Sequence, residues 1–389
     1  MSHSTPGRMM GESLERIPIL LMVRELGIGG TERQLVETAR FLQRDRFAPH
    51  VGCFRPDGLR RRDLEQAGVP ILHLPVYSFK SAAVVKAAAQ LIRYIHRHRI
   101  QIVHSFDAPL NVFAVPVARL AGTPAVLSSQ RGDRNLTTQR LKRLLRITDR
   151  LADAVVVNCE YMKRYLIDEE RVPELKVRLC YNGIDTDQYR RRRSGTVASS
   201  GQVVIGTVCA LRPEKGVDTL IRAFAAVQRP GAALVIVGGG PEEARLKALC
   251  AESGVENCHF EPATNDVADW LNRIDIFVLP SRSEALSNSL MEAMACGCCP
   301  VASRVGGNPE LIEHGQNGLL FQPDAVDELA HSLRELLDDE TRRRSLALAA
   351  SAKITSRFTF ANAAETMQGI YESVLSSTGR KLREPAASG

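Results

Sequence analysis

Short apolar runs of strand length alternate with longer amphipathic stretches from one end of the chain to the other, and few architectures tolerate that rhythm. Strands separated by helix-sized segments pair in parallel, so the pattern predicts an α/β fold with helices on both faces of each sheet. In the first half, residues 19–23, 49–54, 100–104, 124–128, 154–158 and 177–181 read as strands. In the second half, 203–208, 233–237, 258–260, 274–279 and 300–303 repeat the pattern. Between the halves, Arg190-Arg191-Arg192-Arg193-Ser194-Gly195 and then Ser199-Ser200-Gly201 read as a linker. The expected organisation is a first doubly wound domain over 1–190, a linker over 191–202, a second doubly wound domain over 203–359, and a final helix and tail over 360–389. Two such domains face each other across a cleft, and in open parallel sheets the ligand sits beyond the carboxyl ends of the strands.

A chain of 389 residues, 44% hydrophobic and 24% charged, is long enough for two ordinary cores of a soluble protein. No apolar run approaches the ~18 residues of a membrane span, and residues 1–16 lack the order of a signal peptide, so a cytoplasmic location is expected. Nine cysteines without paired metal spacing agree with a reducing compartment. Cys296, Cys298 and Cys299 read as packed small residues, and no metal site is expected.

A formal net charge of +7 asks for an acidic partner. Two basic amphipathic stretches carry much of it. Residues 84–99 mix Leu91, Ile92 and Ile95 with Lys86, Arg93, Arg97 and Arg99; residues 139–150 mix Leu141, Leu144, Leu145 and Ile147 with Arg140, Lys142, Arg143, Arg146 and Arg150. Such helices either lie on an anionic membrane face or pack with a solvated outer side. Nucleic acid is not expected as a partner, because aromatics are only 5% of the chain and no binding motif is present.

The most chemically loaded stretch is 281–318, SRSEALSNSLMEAMACGCCPVASRVGGNPELIEHGQNG. Glu284 falls in the loop after a strand and Glu292 in the helix that follows. A helix beginning near Ser287 or Asn288 aims free backbone N–H groups and its positive end at the crevice, a seat for phosphate. A carboxylate one turn in can accept from a ribose diol, and one in the loop can reach a sugar beyond the phosphates. Ser289-Leu290-Met291-Glu292 also spells a capping box, which would give Glu292 a purely local role. After the first strand, Gly29 and Gly30 open a helix over 31–42 and offer close backbone approach, though not a G-x-G-x-x-G fingerprint. After the first strand of the second domain, Arg212 and Lys215 flank a turn and can neutralise a diphosphate. Val237-Gly238-Gly239-Gly240-Pro241 supplies a further glycine-rich loop.

Taken together, GTVCALRPEKGVDTLIRAF, VGGGP, SEALSNSLMEAMACGCCPV and VGGNPELI, with GGTE near the start and Tyr181-Asn182-Gly183-Ile184-Asp185 before the linker, resemble family 4 of the retaining nucleotide-sugar glycosyltransferases, which have the GT-B fold. The resemblance implies an acceptor-binding first domain, a nucleotide-sugar-binding second domain and a final helix crossing back to the first. It implies that Arg212 and Lys215 bind the donor diphosphate, Glu292 the ribose and Glu284 the transferred sugar, with Gly29, Gly30, Ser287, Asn288, Gly238 and Gly239 around the nucleotide. No cofactor beyond the donor substrate is implied. Many relatives carry a histidine after the strand that ends here in Ser128; this chain has Ser129-Gln130-Arg131-Gly132-Asp133. Arg131 and Asp133, with His104 as the nearest histidine, are the acceptor-side candidates. His104 reads more readily as a packing or hydrogen-bonding residue than as an acceptor-side group.

The implied chemistry is metal-independent transfer with retention, the departing diphosphate taking the acceptor's proton. The acceptor is expected to be a saccharide or lipid-linked saccharide in polysaccharide or glycolipid assembly at the inner membrane face. Two other readings stand beside it: a sugar-nucleotide epimerase on the same fold, and a catalytically silent nucleotide-sugar-binding module that regulates a partner.

Overall fold

In the computed structural model, which describes residues 16–379 apart from 28, 80, 193–201 and 228, the apolar runs form two separate parallel sheets. The first holds β1 (Ile17–Glu25), β2 (Phe47–Arg55), β3 (Ile71–His73), β4 (Ile102–Ser105), β5 (Ala125–Gln130), β6 (Ala154–Val157) and β7 (Val177–Leu179), in the order β3-β2-β1-β4-β5-β6-β7. The second holds β8 (Val203–Val208), β9 (Ala232–Val237), β10 (Cys258–Glu261), β11 (Ile276–Leu279), β12 (Cys299–Ser303) and β13 (Leu319–Phe321), in the order β10-β9-β8-β11-β12-β13. At the centre of the first sheet Leu21 of β1 stands between Val51 and His104; in the second, Ile205 of β8 stands between Leu234 and Ile276.

Helices cover both faces, and β4, β6, β11 and β12 are buried at every position. Strands sealed on both sides can read as unbroken apolar runs rather than alternating ones, as β6 (Ala-Val-Val-Val) and β11 (Ile-Phe-Val-Leu) do, which is why these two stand out in the sequence. Two strands do not stand out. β3 and β13 are three residues long, sit at sheet edges and pair with a single neighbour each; β7 is equally short and at an edge, but reads as part of the longer run 177–181.

The order of strands reverses between β1 and β4 in one sheet and between β8 and β11 in the other. A crevice opens at such a switch point because the two connections leave on opposite faces. The loops that follow β1, β8 and β11 contain Gly29 and Gly30, Arg212 and Lys215, and Glu284.

The last helix, Phe360–Ser377, lies against the first sheet. Its Met367, Ile370, Tyr371 and Val374 share a core with Leu21, Phe47 and Leu127. Ile184 and Thr359 form an isolated parallel bridge where the chain returns. Residues 193–201 of the expected linker lie outside the described residues; the part just before them is tied to the second domain, with Arg192 N–H donating to Asn272 Oδ1 at 2.8 Å.

The two basic stretches differ in what they do with their apolar side. In the helix Ala83–Arg97, Leu91 and Ile95 are buried in the first sheet's core with Leu20 and Val103, so the apolar face expected for a membrane is covered by protein. In the helix Gln139–Leu151, Leu145 is buried, yet Leu144, Ile147 and Leu151 are 38%, 52% and 38% exposed. All nine cysteines are free; Cys296, Cys298 and Cys299 are fully buried, and burial pushes the thiols of Cys296 and Cys299 up to about 12.

Tyr371 is the largest apolar anchor of the returning helix: its ring meets Phe47 edge-on at 6.3 Å and its hydroxyl bonds His104. Tyr371→Ala is expected to lower stability by about 3–5 kcal/mol, read from urea midpoints. A loss under about 1 kcal/mol would mean that the helix does not belong to this core.

Candidate functional site

The helix Asn288–Ala295 follows β11 after a short loop, and Ser287 is its N-cap, accepting from Leu290 N–H at 3.3 Å. This corrects the capping-box reading, in which Ser289 would start the helix. With Ser287 as the cap, Glu292 lies beyond reach of the first free amides, and its carboxylate is released for another partner. That partner comes from the other domain. Arg33, on the helix Gly30–Phe41, donates from Nη2 to Glu292 Oε1 and from Nη1 to the Tyr189 hydroxyl at 3.0 Å. Glu292 is only 5% exposed. Burial alone would lower the Arg33 pKa, but the Glu292 carboxylate outweighs it and the guanidinium is held above its usual range. Burial, then the same carboxylate, pushes Tyr189 up to about 12.

A second pair, somewhat more exposed, stands within the second domain. Lys215 Nζ donates to Glu284 Oε1, which also accepts from Ser281 Oγ at 2.9 Å. Burial works against the Lys215 charge and Glu284 more than restores it, so its pKa is raised. Arg212 behaves differently: its side chain is 63% exposed, and its nearest acid, Glu214, is 3.9 Å away.

These groups line one cavity of about 810 Å³ between the domains, a size suited to a small-molecule ligand. Gly29, Gly30, Arg212, Lys215, Gly238, Gly239, Glu284, Ser287, Asn288 and Glu292 are all on its wall. Two helix starts meet there. A Cβ on Gly30 would stand 2.4 Å from Asn288 Nδ2, so the glycine permits the approach of one helix to the other. Free N–H groups and positive helix ends from both domains thus face the same space, an arrangement that attracts an anion. Gly238 plays a similar part between loops: a Cβ there would stand 1.9 Å from the Cys209 carbonyl oxygen.

The three acceptor-side candidates are not on that wall. His104 requires correction: it is fully buried, bonded at Nδ1 to the Tyr371 hydroxyl (2.8 Å) and at Nε2 to Ser129 Oγ (2.8 Å). Both ring nitrogens are satisfied inside the core, so it has no nitrogen left for a ligand. Arg131 lies over the Phe106 ring and donates to Asn182 Oδ1 at 3.0 Å, and Asn182 in turn donates to Asn288 Oδ1 at 2.8 Å. Asp133 accepts from Ser283 Oγ at 2.7 Å, beside Glu284. Arg131 and Asp133 therefore brace the cavity from behind, across the domain boundary.

Arg33, Arg60, Tyr189, Thr264 and Asn265 line the cavity without having been singled out in the sequence. Arg33 carried a usable signal, since it follows Gly30 by one helical turn and so shares its face. Tyr189 carried none, because the chain reaches the cavity there only through the packing of both domains.

Burial, with the Arg131 charge, holds the His104 pKa well below its usual range. The unfolded chain takes up a proton below about pH 6.5 that the folded ring refuses, so stability is lost as pH falls below that value. His104→Gln should lose less stability than the parent between pH 7 and pH 5, measured by urea unfolding at each pH. An equal loss in both would mean that His104 does not contribute to the slope.

The family model for glycosyl transferases group 1 matches residues 190–353, and that for glycosyltransferase family 4 matches residues 28–188. The chain is similar to the GDP-mannose-dependent alpha-(1-6)-phosphatidylinositol monomannoside mannosyltransferase of Mycobacterium tuberculosis, 31% identical over 287 residues, 68% of this chain and 74% of that protein. It is also 30% identical over 241 residues to D-inositol 3-phosphate glycosyltransferase of Stackebrandtia nassauensis, covering 57% of this chain and 54% of that one. Among solved structures, HepE of Anabaena in complex with UDP and glucose superposes with a TM-score of 0.82 at 23% identity, over 92% of this chain and 100% of that chain. Sucrose-phosphate synthase of Thermosynechococcus elongatus gives 0.76 at 18% identity, over 93% of this chain and 100% of that chain. The likeness to the solved structures is one of fold, two parallel-sheet domains facing a cleft in the GT-B arrangement. The sequence likeness is one of family: the chain belongs to the group 1, family 4 glycosyltransferases, enzymes that move a sugar from a nucleotide donor to an acceptor.

Proposed function

We propose that this glycosyltransferase seats the donor diphosphate between the two helix starts, with Arg212 and Lys215 as its cations, Glu292 on the ribose and Glu284 on the transferred sugar, and that it works with retention and without a metal. The observation that carries the reading is the convergence of Glu284, Glu292, Arg212, Lys215 and two helix starts on one cavity built by both domains. In the structure Lys215 is paired with Glu284. When a diphosphate enters, Lys215 exchanges a carboxylate for phosphate oxygens, and Glu284 exchanges an ammonium for sugar hydroxyls. Neither charge is left bare, which keeps the cost of the exchange low.

Negative charge then grows on the diphosphate as its bond to the anomeric carbon breaks. Fixed cations and helix N–H groups already aimed at that position stabilise it without reorganising. The acceptor oxygen bonds to the anomeric carbon on the face the diphosphate leaves, and the hydroxyl proton passes to the departing diphosphate oxygen. This asks for no protein base, in keeping with His104 being sealed in the core. Arg131 and Asp133 hold the first domain in register with the loop that carries Glu284.

The name of the mycobacterial relative makes GDP-mannose the first donor to test and a glycolipid the first acceptor. None of the described helices is long and apolar enough to cross a membrane. The helix Gln139–Leu151 presents Leu144, Ile147 and Leu151 to solvent amid Arg140, Arg143 and Arg150, and it is the surface we assign to an anionic bilayer on the cytoplasmic side. Each basic group near such a surface contributes about 1 kcal/mol.

Glu284→Ala and Lys215→Ala are each expected to cut the turnover of GDP-mannose, or of whichever nucleotide sugar most raises the melting temperature, by about 10²–10³. A chelator should leave the parent rate unchanged. Retained activity in both variants would overturn the assignment of roles, and loss with the chelator would overturn metal independence. For the membrane, the protein should sediment with vesicles containing anionic lipid and not with zwitterionic ones, and Leu144→Glu with Ile147→Glu should abolish the difference. Equal partitioning of the parent protein in both would remove the membrane clause.

A further inference from the structure

Arg33 belongs to none of the roles above, yet it is the best-anchored cation at the cavity. Its side chain is 12% exposed, Nη2 bonds Glu292 Oε1, Nη1 bonds the Tyr189 hydroxyl at 3.0 Å, and its guanidinium carbon stands 5.6 Å from the centre of the Tyr189 ring. Tyr189 is itself buried at 4% exposure. A planar guanidinium held at two corners has little freedom left, so it fixes the carboxylate it touches. Lys215, by contrast, is a point charge that can swing from one oxygen to another.

We infer that Arg33 is a positioning residue for the donor nucleotide: it sets the Glu292 carboxylate so that the carboxylate's remaining acceptor capacity meets the ribose hydroxyls. The inference rests on the reading of Glu292 as the ribose acceptor. Glu292 Oε1 is taken by Arg33, and a carboxylate accepts further hydrogen bonds at its other oxygen. Arg33 also lies one turn into the helix whose first residue, Gly30, lines the cavity beside Asn288. One rigid element of the first domain therefore carries both the amides that face the phosphates and the side chain that sets the ribose acceptor of the second domain.

A merely structural ion pair would lower stability without caring whether the nucleotide has ribose hydroxyls. The test uses UDP and GDP, each beside its 2′,3′-dideoxy counterpart, with binding measured by calorimetry to the parent, Arg33→Gln, Arg33→Lys and Glu292→Gln. In the parent, removing the hydroxyls of whichever nucleotide binds more tightly should weaken binding about tenfold, the worth of a hydrogen bond to a charged group. In Glu292→Gln and Arg33→Gln that ratio should collapse to within about twofold, the limit for independent effects. Arg33→Lys, which keeps the charge but not the fork, should fall between. If the ratio collapses in Glu292→Gln but stays near tenfold in Arg33→Gln, the positioning role is overturned while the ribose reading stands. If it stays near tenfold in Glu292→Gln as well, the ribose reading itself fails, and this inference with it. Should Arg33→Gln not fold, as its melting curve would show, Arg33→Lys decides the same question: a ratio equal to the parent's overturns the role, and a reduced one supports it.

Discussion

A glutamate nearly sealed from water needs a cation within hydrogen-bond reach, because a lone buried charge costs several kcal/mol. Glu292 finds that cation on the opposite domain, in Arg33. The pair can exist only if the helix Gly30–Phe41 and the helix Asn288–Ala295 are brought end to end, and the rest of the cleft is arranged around that requirement. Asn182 bonds Asn288, Ser283 bonds Asp133, and Glu310 accepts from the Glu160 and Tyr161 amides and the Tyr181 hydroxyl, capping the helix Glu160–Asp168 from the other domain. A shared apolar cluster in which Cys159 and Met162 pack with Leu286 and Leu290 supports these bonds.

The same geometry explains how one cavity can hold acids and a diphosphate together. Carboxylates and phosphates repel, so a site with Glu284 and Glu292 alone would reject its ligand. Lys215 and Arg33 each stand against one of the acids, the two helix starts add partial positive charge, and Arg212 extends a further guanidinium with only a distant acid beside it. The balance of charge therefore favours an anion, while the carboxylates remain available to hydroxyl groups.

Much of this was legible before folding was considered. The continuous apolar runs of β6 and β11 are legible because strands buried on both faces need no alternation. Glu284, Lys215 and the glycines of the strand-to-helix loops were legible because an open parallel sheet directs those loops to its ligand. The short edge strands β3 and β13 were not, whereas β7, equally short, was legible within the longer run 177–181. The helix start was legible only as a choice between Ser287 or Asn288 and a capping box at Ser289, because both serines fit a cap and only the backbone distinguishes them. His104, at a strand end, reads more readily as a packing or hydrogen-bonding residue, but its partner was not legible, since only packing brings Tyr371 to one of its nitrogens.

By itself, the sequence determined the parallel α/β architecture, the two domains and the loops that carry charge and glycine, because these follow from local periodicity and from backbone demands within a few residues. Tertiary structure alone decided which charges are partnered. Arg33 meets Glu292 and Tyr189, Asp133 meets Ser283, and His104 meets Tyr371 across separations in sequence that no local pattern spans. Hydrogen bonds and ion pairs act over a few ångströms, so a site assembled from two domains takes its electrostatics from packing and not from the order of residues.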